Sequence, residues 1–175
     1  MNRPDLMIDT CCLGNKTLMA WLGKYNGGKF ISAVSYMEYK TDAISRGKGE
    51  MFDRIIRSSG IKVRPFDKND ADMAAKLMAS RPDGILRCNA CGNINWNDTM
   101  IAAQAERLGL TVVTENTKDY PSDPSFRVMT ANEVISSFHI FRLFPAAASI
   151  LHSLNPSPKT SRLAAISTLI HYTLA

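Results

Sequence analysis

NWNDTMIAAQAERLGLTVVTENTKDY, residues 95–120, reads as a helix, a tight stop, a buried strand and a polar loop. Ile101, Ala105 and Leu108 recur at helical spacing, which predicts an amphipathic helix. Gly109 fits its C-terminal stop, and Thr111-Val112-Val113 suits a short buried strand. The two ends pose the question. Asp98 stands where the helix begins, and the strand leaves through Thr114, Glu115, Asn116, Lys118 and Asp119. Helix capping and an ordinary loop account for both ends; so does a site for a cation.

Upstream, the same alternation recurs. Leu6-Met7-Ile8 is a short strand ended by Asp9-Thr10, and Asn15 caps a helix running to about Tyr25. Phe30 to Ala33 is a second strand, followed by a helix over 35–45 with Glu38 in its first turn. A helix over 50–58 leads to a third strand, 61–66, placed at an edge because Pro65 cannot donate to a ladder. Residues 67–79 return to helical spacing. Residues 80–97 read as a long irregular segment, 126–129 as a fifth strand, and Ala131 as the start of a last core helix. Strands alternating with helices predict an α/β fold: a three-layer α/β/α sandwich on a mainly parallel sheet of about five strands. A domain over 1–135 and an extension over 136–175, helical or disordered, are expected.

The chain has 175 residues, 45% hydrophobic and 21% charged, with net charge +5. That is long enough for a substantial core. The modest basic excess suits a phosphate-bearing partner, although an inert basic surface fits equally well. Neither a signal-peptide pattern nor an apolar run of about 20 residues is present, so no membrane association and a cytoplasmic location are expected. Cys88 and Cys91 form one C-x-x-C, half of a zinc site; adjacent Cys11 and Cys12 do not supply the other half. A plain loop is the expectation there.

Ligands of open parallel sheets bind beyond the carboxyl ends of the strands. Asp9, Glu38, Asp98 and Asp119 can all be placed at that edge. Singly, each has a structural reading: a turn, a solvated helix residue, a helix N-terminal charge, an Asx-turn. Together, crowded carboxylates take up a proton or a cation. Oxygen-only ligands suit Mg²⁺ or Mn²⁺, ions that serve phosphodiester hydrolysis.

MIDTCCL (7–13), SAVSYMEYK (32–40), VRPFDKNDADMAAKL (63–77), NDTMIAAQAERLGLTVVTENTKDY (97–120) and FRVMTANEVI (126–135) together resemble the PIN domain, most closely VapC-type toxin ribonucleases. The resemblance covers about residues 6–135. It implies a Mg²⁺- or Mn²⁺-dependent endoribonuclease, a homodimer, and a VapB-type antitoxin that blocks the site. By position, Asp9, Glu38 and Asp98 match the family's principal metal-site acids. Either Asp119 or Asn116 matches the fourth; Asp119 is chosen, with Asn116 as a polar neighbour. Thr10 and Thr114 match hydroxyls suited to orienting a carboxylate or a water. Lys40, Arg46 and Lys118 are candidates for the RNA backbone. Two other classes compete. One is a catalytically weak or inactive PIN-like module that binds RNA or protein. The other is a phosphotransfer domain, disfavoured because Asp9-Thr10-Cys11 lacks the D-x-D-x-T signature.

Overall fold

Leu6–Ile8 (β1) lies at the centre of a sheet whose neighbours all run parallel to it. All three side chains are buried, as a strand covered on both faces requires. Lys29–Ser32 (β2) pairs on one side, with Met7 opposite Phe30. Lys62–Arg64 (β3) continues that side and forms the edge, ending before Pro65 as expected. On the other side Thr111–Val113 (β4) sets Ile8 opposite Val113, and Val128–Met129 (β5) closes the sheet. The order is β3-β2-β1-β4-β5. Because it changes direction at β1, right-handed crossovers spread the connecting helices over both faces, which gives the three-layer sandwich. This computed structural model describes residues 3–80, 95–120 and 126–143.

The helices are Lys16–Leu22 (α1), Ala33–Ser45 (α2), Gly49–Ser58 (α3), Lys68–Ser80 (α4), Trp96–Leu108 (α5) and Ala131–Leu143 (α6). Asn15 caps α1 through Leu18 N–H. That helix stops at Leu22, short of Tyr25. There the Lys29 ammonium takes up the freed carbonyls of Leu22 and Tyr25, at 2.9 and 3.0 Å. The α2 helix begins two residues earlier than its apolar pattern suggests, because the Ser32 hydroxyl accepts from Val34 N–H. Glu38 therefore sits in the second turn of α2, not the first.

The α5 helix is not amphipathic in the simple sense expected. Ile101 through Ala105 are all buried, so it is enclosed well beyond one stripe. Three alanines within that run make close approach feasible, against α4 and against α2. Asp70 of α4, fully buried, receives the Arg107 guanidinium at 2.5 Å and the Gln104 amide at 3.1 Å, tying α4 to α5. Arg107 holds its carboxyl below the ordinary range against the opposing effect of burial. Residues 1–135 form one compact unit. The C-x-x-C segment and the chain beyond Leu143 lie outside the described residues.

Candidate active site at the carboxyl edge of the sheet

The strand order reverses between β1 and β4, the place in an open parallel sheet beyond whose carboxyl ends ligands bind. Asp9 follows β1 directly. Its N–H donates to Val113 O at 3.0 Å, so the ladder extends to the residue that turns away. The carboxylate, 3% exposed, caps a single 3₁₀ turn over Thr10–Cys12. Thr10 N–H donates to Oδ1 at 2.6 Å; the Thr114 hydroxyl donates to Oδ2 at 2.7 Å, and the Cys11 thiol stands 3.3 Å from the same oxygen. Thr114 follows β4 as Asp9 follows β1, and its own oxygen accepts from Asn116 N–H at 3.0 Å. Two strand ends are thus joined by side chains 105 residues apart.

Glu38 enters from α2. Its two oxygens accept from the Thr10 hydroxyl and the Asn97 amide, each at 2.5 Å. Asp98 enters from α5 and is not the helix cap. Asn95 is: its side-chain oxygen accepts from Asp98 N–H at 3.3 Å, and its amide donates back to Asp98 Oδ2. The Asp98 carboxyl pKa is pushed up to about 7. Burial is the largest cause, followed by the negative charges of Asp9, Asp119 and Glu38; the Asn95 amide pulls the other way. The four acids therefore share one electrostatic neighbourhood. Asp119, at the end of a second 3₁₀ turn over Thr117–Asp119, belongs to it through its effect on Asp98. Asn116 is exposed, and its side chain makes no capping bond.

Among the described residues no three His, Cys, Asp or Glu side chains stand together ready to hold an ion. In this arrangement Thr10 and Asn97 hold Glu38, and Asn95 holds Asp98. The donor set is nevertheless of the right kind, hard oxygens whose mutual repulsion a divalent cation would relieve. A second observation agrees with such an ion. The Tyr120 hydroxyl is buried beside these acids without a hydrogen-bond partner among the described residues.

Sequence reading missed Asn97, Cys11 and Tyr120. Asn97 flanks Asp98, and that adjacency was its one visible signal. Of the cations proposed for RNA, Lys40 is already engaged by Asp53 at 2.5 Å and by Gly49 O, and Arg46 pairs with Asp42. Lys118 is exposed on the loop after β4.

The fold is shared with solved structures of low identity. The DNA-bound VapBC of Salmonella typhimurium is 20% identical with a TM-score of 0.57, over 74% of this chain and 99% of that one. A toxin–antitoxin complex from Klebsiella pneumoniae is 19% identical at 0.56, over 73% and 98%. FitAcB of Neisseria gonorrhoeae is 20% identical at 0.53, over 72% and 97%. No curated protein sequence is significantly similar to the chain. The PIN domain family model matches residues 8–120, a span that opens one residue before Asp9, closes one after Asp119 and encloses all four acids; the chain belongs to the PIN domain family.

Proposed function

We propose that this chain is a Mg²⁺- or Mn²⁺-dependent endoribonuclease, the toxin of a type II toxin–antitoxin pair. The observation that carries the reading is Asp98, set among three other carboxylates at the switch point of the sheet, where burial first and then those charges raise its affinity for a proton. The part of that rise that comes from the neighbouring negative charges is what a divalent cation would relieve. Asp9, Glu38 and Asp98 would hold it, with Asp119 completing the set. When bound, such an ion supplies Lewis acidity to a phosphoryl oxygen and lowers the pKa of water.

The chain's own residues do the positioning. Thr114 and the Thr10 amide fix Asp9, while the Thr10 hydroxyl and Asn97 fix Glu38. These bonds hold both side chains in place in the metal-free site. Lys118 is an exposed cation that can meet an RNA phosphate, and Trp96, 57% exposed in the first turn of α5, offers a ring on which a base can stack. The net charge of +5 favours the same partner. The VapBC and toxin–antitoxin assemblies of the same fold support a VapB-type antitoxin as protein partner. A homodimer acting in the cytoplasm completes the reading. No described helix is long and apolar enough to cross a membrane.

The dispersed acids favour one rival, a PIN-like module that binds RNA or protein without cutting. RNA cleavage by purified protein, with Mg²⁺ or Mn²⁺ and with EDTA, beside Asp98→Asn, separates the two. The nuclease reading expects cleavage only with metal and a loss on the order of 100-fold or more in the folded variant. RNA binding without cleavage by either protein, across a broad panel, would transfer the assignment to the binding module.

A further inference from the structure

Tyr120 is 2% exposed, and its ring belongs to a buried hydrophobic cluster, stacked on Phe126 with centroids 6.1 Å apart. The hydroxyl at the end of that ring has no hydrogen-bond partner among the described residues. Its surroundings are nonetheless polar: beyond its burial, the carboxylate of Asp9 stands close enough to act on the phenol, and Asp98 and Cys11 also bear on it. Asp9 is already supplied with donors, Thr10 N–H on one oxygen and Thr114 and Cys11 on the other. A buried hydroxyl left unpaired is costly, and phenylalanine would fill the same apolar space without that cost. A phenol at neutral pH is a ready donor.

The carboxylates must move from their present hydrogen bonds to converge on an ion, since no three of them do so now. Such a shift presents an oxygen in a new place. We infer that the Tyr120 hydroxyl is a positioning residue of this site, a reserved donor that engages the Asp9 carboxylate, or a water beside it, once a divalent cation is bound. The inference rests on the metal-site reading above and adds a residue to it. It also sets the stability of the empty site against its affinity for metal, with the two effects of opposite sign.

Tyr120→Phe in the full chain tests this, because it removes one oxygen and keeps the ring. Thermal unfolding in EDTA and calorimetric titration with Mn²⁺ are the readouts; neither depends on turnover. The metal-free variant is expected to match or exceed the wild-type midpoint, while its Mn²⁺ affinity falls about 10-fold, within the range seen for groups that support ligands. A variant that binds Mn²⁺ as tightly as wild type overturns the inference and leaves the metal site standing. A variant markedly less stable in EDTA overturns it too, because the hydroxyl then already has a structural partner. If wild type itself takes up no Mn²⁺, the metal-site reading falls and this inference with it.

Discussion

Asp98 carries a proton at pH values where an isolated aspartate would have lost it. With an unfolded pKa of about 3.9 and a folded value of about 7, the folded chain binds the extra proton between those limits. Stability contributed by this group is therefore present at low pH and lost as pH rises from about 4 towards about 7. Thermal unfolding in EDTA should show this negative slope, and Asp98→Asn should flatten it. A cation must displace the proton, so Mn²⁺ affinity should climb with pH through the same region, with proton release detectable by calorimetry in buffers of different ionisation enthalpy. Proton-free binding of constant affinity from pH 5 to 8 would show that the carboxyl is not in the site. Asp98 also marks a limit of sequence reading. The sequence offered a helix-end role only for Asp98, whereas in the fold Asn95 caps the helix and Asn97 donates to Glu38 of α2. Tyr120 carried no signal of its own in the sequence, and its orphaned hydroxyl appears only once the fold is built.

At the scale of elements, α5 separates two kinds of terminus. Gly109 ends it in the left-handed region, φ +65°, with open space where a Cβ would stand. Gly109→Ala should cost about 1–2 kcal/mol through backbone strain alone. Asn95→Ala should cost about 1 kcal/mol through the lost cap. The costs are similar; the consequences differ. Asn95 also donates to Asp98, so its loss should raise the Asp98 pKa further and weaken Mn²⁺ binding near neutrality, whereas Gly109→Ala should leave both unchanged. Urea denaturation and metal titration on the two variants check this, and equal metal affinities would reduce Asn95 to a cap. The glycine stop and the strand over 111–113 were legible because local chemistry decides them: a positive φ and a continuous apolar run. The start of α2 was not, since the Ser32 cap outweighs the apolar spacing, and that one shift moved Glu38 from the first turn to the second.

For the molecule as a whole, the alternation of strands and helices implied a parallel sheet but left its order open. The reversal at β1 and β4 is what brings Asp9 to Thr114, and a linear pattern carries no record of which strands become neighbours. The β5 edge strand is two residues long, Val128–Met129, and the helix after it begins with Ala131 and Val134, both fully buried. Burial of a valine is worth about 1.5–3 kcal/mol against a total stability of about 5–15 kcal/mol. Thr130 and Glu133 also cap that helix start, with Thr130 N–H on the Glu133 carboxylate at 2.7 Å. A chain ending at Thr130 should therefore lose β5 and its cover together, and fail to give a cooperative thermal transition. A chain ending at Leu143 retains every buried residue of the sheet and both sides of the acidic site, and we propose that it suffices for folding. It should unfold cooperatively within a few degrees of the full chain in EDTA and gain the same stabilisation from Mn²⁺. If that shorter chain is insoluble, or unfolds without a cooperative transition, the remaining 32 residues belong to the folding unit. A soluble Leu143 chain that folds but gains nothing from Mn²⁺, where the full chain gains, would place part of the metal response beyond the sheet domain.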